Sequence, residues 1–169
     1  DELGTMFSGS AAIDFNNSSG FQRGEEKPLI AAYTAHGPQK QVQCIAYSND
    51  RGRNFTKYEG NPIIDSKEKW NSQHTRDPKI FWHEDSKKWV MVLFEKTGHS
   101  IYNSDDLKNW NYQSHIGGFW ECPELFELEV DGNQYNKKWI LYGASGTYMI
   151  GAFDGQRFTP ETEKLNYFA

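Results

Sequence analysis

The chain has 169 residues, with 18 Lys and Arg against 23 Asp and Glu; the resulting charge of −5 and the lack of a basic stripe exclude a protein that tracks nucleic-acid phosphates. Apolar residues make up 37% and there are 15 Gly, enough for a packed core, while the longest apolar run, Trp89 to Phe94, falls far short of the roughly 20 residues a membrane-spanning helix needs. Two cysteines, Cys44 and Cys122, allow at most one disulfide and cannot make a zinc site alone. No basic, apolar and small-residue succession opens the chain, so any export signal has been removed or never existed.

The aromatic load of 15%, set among many Gly, Asn, Asp and Ser at turn-like positions, favours strands. In chain order, strands are expected at Ser10 to Ile13, Leu29 to Thr34 and Gln43 to Ser48, followed by a turn over Asn49 to Phe55. Ser66 to Ser72 supplies one helical turn at most. Strands then resume at Thr75 to Phe81, from Trp89, and around Ile101, with an Asp-rich turn from Asp105 to Trp110. The same succession returns at Trp120 to Phe126, from Trp139 and around Ile150, with a turn from Asp154 to Phe158; Asp131-Gly132 reads as a hairpin turn. Glu163 to Ala169 begins another segment without finishing it.

Thr75-Arg76-Asp77-Pro78-Lys79-Ile80-Phe81 aligns with Trp120-Glu121-Cys122-Pro123-Glu124-Leu125-Phe126, and each is followed by Lys-Lys-Trp. Four short strands per unit, at about 40 to 50 residues per unit, is the period of a β-propeller blade. The expected fold is therefore all-β, about three four-stranded blades occupying approximately 8–60, 76–116 and 121–160 within one partial propeller domain over 1–169. A meandering β-sandwich is the alternative. A closed ring needs typically about 4 to 8 blades, so the expectation is an internal fragment whose missing blades come from the rest of the protein or another chain.

In a propeller the innermost strands line a central funnel, so equivalent ends of successive inner strands converge. Those ends are Phe7-Ser8-Gly9-Ser10, Thr75-Arg76-Asp77-Pro78 and Trp120-Glu121-Cys122-Pro123. Paired carboxylates from different strands suit glycosidic cleavage, one protonating the leaving oxygen while another stabilises positive charge at the anomeric carbon. Arg76 offers a fork for hydroxyls, and Phe7 and Trp120 offer aromatic faces for a sugar ring. The competing reading is structural, with Asp77 and Glu121 capping turns or pairing with Arg76 and Lys79. Trp89, Trp110 and Trp139 read as blade core. The five histidines have no metal-ligand spacing and read as loop or surface residues.

These three segments, together with Asn17-Ser18-Ser19-Gly20-Phe21, Ile45 to Arg53 and Lys57 to Pro62, resemble glycoside hydrolase family 32, the invertases, inulinases and levanases, over nearly the whole chain. The resemblance implies a five-bladed propeller that releases terminal β-fructofuranosyl units from sucrose or fructans with retention of configuration. By matched motif, Glu121 would be the general acid/base and Asp77 the carboxylate that stabilises the oxocarbenium-like transition state. Arg76, Phe7, Ser8 and Trp120 would bind substrate, and Glu121 would need a raised pKa in the substrate complex. Cys122 would pack beside the acid/base without a covalent role. The implied partner is a fructose-containing oligo- or polysaccharide, with no cofactor, metal, nucleic acid or membrane insertion, in a secreted or periplasmic setting.

The family's nucleophilic Asp lies in a Trp-Met-Asn-Asp-Pro-Asn-Gly-like motif upstream of Phe-Ser-Gly-Ser, and this sequence has no such motif; its only Asp-Pro is Asp77-Pro78. The polypeptide by itself is therefore expected to be inactive. Two other functions fit less of the sequence: a propeller glycosidase acting on pentose polymers, which Phe7-Ser8-Gly9-Ser10 disfavours, and a non-catalytic sugar-binding propeller.

Overall fold

A computed structural model describes residues 2–167. Three antiparallel sheets follow one another along the chain, and in each of them four strands lie in sequence order. The first holds β1 (Thr5–Ile13), β2 (Leu29–His36), β3 (Gln41–Ser48) and β4 (Thr56–Lys57). A single helical turn, α1 (Lys67–Trp70), leads to the second, with β5 (Thr75–His83), β6 (Lys88–Glu95), β7 (Gly98–Ser104) and β8 (Asn111–Gly117). The third holds β9 (Glu124–Val130), β10 (Asn133–Tyr142), β11 (Thr147–Phe153) and β12 (Phe158–Pro160). They are three blades of an incomplete β-propeller.

The middle blade explains why Trp89 to Phe94 is apolar without interruption. Alternate residues of a strand point to opposite faces, and this sheet is covered on both. Trp89, Met91 and Leu93 pack with Ile30, Ile45 and Tyr102 in a cluster shared with the first blade. Val90 and Val92 pack with Leu125, Leu141 and Phe153 in a cluster shared with the third. Each fully buried Val, Leu or Phe contributes roughly 1.5–3 kcal/mol. Trp110 and Trp139 pack half-buried against these same clusters.

One turn chemistry repeats at the outer edge of every blade. After β3, Asp50 Oδ1 accepts from the Asn54 N–H at 2.9 Å; after β7, Asp106 Oδ1 accepts from Asn109 at 2.8 Å; after β11, Asp154 Oδ1 accepts from Arg157 at 2.7 Å. The residue following each Asp, namely Arg51, Leu107 and Gly155, has positive φ. An acceptor side chain that closes its own turn is what Asp supplies at such places. Each turn then delivers Phe55, Trp110 or Phe158 to the start of the outer strand.

Buried polar groups bind the first blade to the second. The Asp14 carboxylate, fully buried, accepts from the N–H and Oγ of both Ser18 and Ser19 at 2.7–3.0 Å. Ser18 Oγ in turn accepts from Trp89 Nε1 at 2.7 Å. The fully buried Glu95 carboxylate accepts from Trp70 Nε1 at 2.6 Å, from the Tyr102 hydroxyl at 2.9 and 3.0 Å, and from Ser66, fixing α1 against β6.

Two expectations need correcting. His83 and His99 are buried strand residues, not loop or surface groups, because sheets stacked on both sides bury both faces of β5 and β7. Glu163 to Ala169 opens no separate unit within the described residues: β13 (Leu165–Asn166) folds back to pair with Thr147 and Tyr148 of β11. Phe168 and Ala169 lie outside the described residues.

Candidate active site

Phe7-Ser8 and Asp77-Pro78 occupy the same place in successive inner strands, and both interrupt the pairing of their strand. The register slips between Met6 and Gly9 on β1 and between Arg76 and Lys79 on β5. A bulge adds a residue to one strand and redirects the side chains around it. The two inner strands are locked just beyond the bulges, where Ser10 Oγ donates to the Pro78 carbonyl at 2.8 Å and accepts from the Ile80 N–H at 2.9 Å.

Backbone strain gathers at the same end of the blades. Asp77 has φ 62°, Glu121 φ 41° and Cys122 φ 43°. Non-glycine residues with positive φ are uncommon, and three at one junction point to a conformation the surroundings enforce. The enforcing contacts are visible. The Cys122 N–H donates to Asp77 Oδ2 at 3.0 Å, and the Asp77 N–H donates to Thr34 Oγ1 at 3.0 Å. The Arg76 guanidinium grips Glu121 Oε1 through Nε, at 3.2 Å, and through Nη2. The Ala144 N–H donates to the Glu121 carbonyl at 3.1 Å.

Asp77 is only 8% exposed, whereas a third of the Glu121 side chain is open to solvent. A cavity of about 220 Å³ between the blades is lined by Ser8, Gly9, Asp77, Pro78, Cys122 and Pro123. Burial first, then the negative charges of Asp77 and Glu121, push the Cys122 thiol above its ordinary pKa. Asp77 lines this cavity beside Cys122, and Glu121 is the residue that precedes Cys122 in the chain.

Of the residues that the motifs single out, the structure brings Ser8 and Asp77 to the cavity wall and holds Arg76 and Glu121 together beside it. Phe7 is stacked on His36 at 4.5 Å with one face still open. Trp120 is half-exposed, edge-on to Phe94 at 4.9 Å, with the Arg76 guanidinium 5.8 Å from its ring. Lys79 pairs with Glu124 at 2.6 Å, so it is not a partner of the two candidate carboxylates.

Sequence reasoning missed the residues behind this wall. Gln41, buried on β3, accepts through Oε1 from Arg76 Nη1 at 3.0 Å and from the Thr75 N–H at 3.1 Å. His74 Nδ1 accepts from Arg76 Nη1, also at 3.0 Å. Thr34 donates to Gln43 Oε1 at 2.8 Å, while Gln43 Nε2 donates to the Thr75 carbonyl at 2.8 Å. The available signal was Gln41 and Gln43 alternating inside a strand that otherwise reads as core; a buried amide there must serve a partner elsewhere.

Over residues 1–167 the chain matches the N-terminal domain of the glycosyl hydrolases family 32. It is 52% identical to a levanase of Bacillus subtilis across 95% of its own length and 26% of that protein's. It is 38% identical to an extracellular exo-inulinase of Aspergillus niger, across 94% of the chain and 36% of the relative. The fold superposes with a TM-score of 0.85 and 36% identity on a β-fructofuranosidase of Schwanniomyces occidentalis solved with fructosyl-erythritol, covering 95% of this chain and 35% of that one. The chain thus spans about a quarter to a third of the length of the relatives it matches. The matched sequence and the superposition agree: this chain belongs to glycosyl hydrolases family 32.

Proposed function

We propose that in the full-length protein these blades form part of a retaining glycosidase propeller domain that releases terminal β-fructofuranosyl units from sucrose or from fructans such as levan and inulin. The observation that carries this reading is the junction of Asp77, Glu121 and Cys122. Asp77 lines the cavity, Glu121 adjoins it through Cys122, and all three have left-handed backbone, which supports a pair of carboxylates acting at one place. The names of the levanase and exo-inulinase relatives support the substrate class.

In this reading Glu121 is the general acid/base. It gives its proton to the leaving sugar oxygen while a nucleophilic carboxylate, supplied from outside the three blades, attacks the anomeric carbon. It then takes a proton from the water that hydrolyses the fructosyl-enzyme. Its partial exposure leaves it reachable by a leaving group. Asp77, fixed by Cys122 and Thr34, accepts from fructose hydroxyls and stabilises the oxocarbenium-like transition state. Arg76 orients Glu121 and, with Phe7, Ser8 and Trp120, holds the fructosyl ring. The extracellular relative favours secretion.

The deciding experiment is product analysis of the full-length protein with sucrose, inulin and levan. Release of fructose from at least one is expected; release from none overturns the assignment.

A further inference from the structure

His99 on β7 is fully buried, and among the described residues neither imidazole nitrogen has a hydrogen-bond partner of ordinary geometry, although the Glu121 main-chain carbonyl lies near enough to act on the ring. Burial pushes its pKa down to about 3, against the opposing influence of the Glu121 main-chain carbonyl, so the ring is neutral at ordinary pH. An unpaired donor and acceptor in an apolar interior are costly, and a phenyl ring would fill the same space without them. Packing alone therefore does not account for a histidine here.

The surroundings of the ring supply a reason. One face stacks on Phe119 at 5.1 Å and 20°. The ring meets Phe94 edge-on at 6.5 Å, and Phe94 underlies both Arg76 and Trp120, each at 4.9 Å. Where Gly143 approaches, the place a Cβ would occupy lies 2.8 Å from the imidazole Cε1 and 2.8 Å from each of the Trp120 and Glu121 carbonyl oxygens. The imidazole, the glycine and the main chain of Trp120–Glu121 thus meet at a single junction. The Glu121 carbonyl takes one hydrogen bond, from Ala144, and a carbonyl oxygen has a second lone pair.

We propose that His99 is a positioning residue for Glu121: its imidazole wedges beneath residues 119–122, holds the strained main chain of Glu121, and so sets the carboxylate against Arg76. The second lone pair of the Glu121 carbonyl is a partner that an imidazole N–H can use and a phenyl ring cannot. The kinetic readout of this proposal rests on the β-fructofuranosidase reading; its structural readout does not.

The test uses the full-length protein with His99→Phe, His99→Gln and, as a stability control remote from the junction, Leu107→Ala in the core shared with the first blade. Two quantities are measured: kcat and KM for fructose release, and the rate at which iodoacetamide alkylates Cys122, followed by mass spectrometry of its peptide. Cys122 is exposed and adjoins Glu121, so its alkylation reports the loop whether or not the protein turns over substrate. His99→Phe is expected to lower kcat about tenfold with KM within about twofold, and to change the alkylation rate by about threefold or more. His99→Gln, which keeps a donor and an acceptor, is expected to recover part of both. Leu107→Ala is expected to lower Tm while leaving both readouts unchanged. A folded His99→Phe protein with wild-type kcat and alkylation rate overturns the proposal, as does Leu107→Ala moving both readouts equally. If the wild type releases no fructose, the functional reading falls, and alkylation alone decides His99 by the same comparison. If His99→Phe does not fold, His99→Gln takes its place: lowered kcat with altered alkylation supports the proposal, and wild-type values of both refute it.

Discussion

Gly143→Ala puts a single methyl group into a tight approach beneath the candidate site. The added carbon would stand 2.8 Å from the Glu121 carbonyl, the Trp120 carbonyl and the His99 ring, where ordinary contact begins at 3.4 Å. Two of those neighbours are main chain and cannot rotate away. The 120–122 segment must therefore move by roughly 0.6 Å, and overpacking of this kind costs about 1–3 kcal/mol. Tyr167 Oη, which donates to the Gly143 carbonyl at 3.1 Å, opposes relief by movement of the glycine itself. Misplacing a reacting group by about 1 Å costs about 10²-fold in rate, so the smaller shift of Glu121 is expected to lower kcat roughly tenfold. Thermal unfolding of the full-length protein should show a Tm loss of a few degrees, on the scale of about 2–4 °C per kcal/mol for domains of about 150–250 residues. Kinetics of fructose release then separate the two effects. A folded Gly143→Ala protein with wild-type kcat would show that the Glu121 main chain can shift without consequence, and would remove the geometric basis of its assignment.

Glu121→Gln keeps the shape of the side chain but cannot donate a proton to the leaving oxygen; kcat of the full-length protein for fructose release is expected to fall by at least about 10²-fold, and a near-normal turnover number removes Glu121 from the proposed acid/base role. Asp77→Asn should reduce turnover far more than Tm, because Asn Oδ1 can still accept from Cys122; unchanged activity contradicts a transition-state role. Gln41→Ala strips Arg76 Nη1 and the Thr75 N–H of a shared acceptor, and is expected to lower kcat/KM about tenfold while the purified protein remains folded by circular dichroism. The blade turns make stability sensitive to acid. The Asn54 N–H leads the hydrogen bonds that hold Asp50 down to about 2, and the Arg157 N–H leads those that lower Asp154. For Asp106, burial acts to raise the pKa, but the Asn109 and Lys108 hydrogen bonds outweigh it. With folded values below the unfolded one of about 3.9, their contribution is present above pH 4 and lost as pH falls toward about 2. A triple Asp→Asn variant at 50, 106 and 154 should show a shallower fall of Tm across that window; an identical slope refutes the linkage.

Much of the fold is legible because its determinants are local and repeated. The Asp that closes each outer turn carries its own acceptor, the residue after it takes positive φ, and the aromatic that follows starts the outer strand, so the period is written into the chain at Asp50, Asp106 and Asp154. The same periodicity aligned Arg76-Asp77-Pro78 with Glu121-Cys122-Pro123 and singled out both carboxylates. His83 and His99 were misjudged because burial is a property of position between sheets. His99 is flanked by Gly98 and Ser100, and nothing in that neighbourhood signals enclosure on both faces.

By itself, then, the amino-acid sequence determined the all-β repeat, the family and the identity of the candidate acids, since turn chemistry, strand alternation and motif spacing act over a few residues. Only the tertiary structure decided what surrounds those acids. Arg76 on Glu121, Cys122 on Asp77, Gln41 behind Arg76, and Gly143 with His99 beneath the loop come together across 22 to 45 residues of chain. Contacts at such separations depend on how neighbouring sheets pack face to face, and no local pattern encodes that.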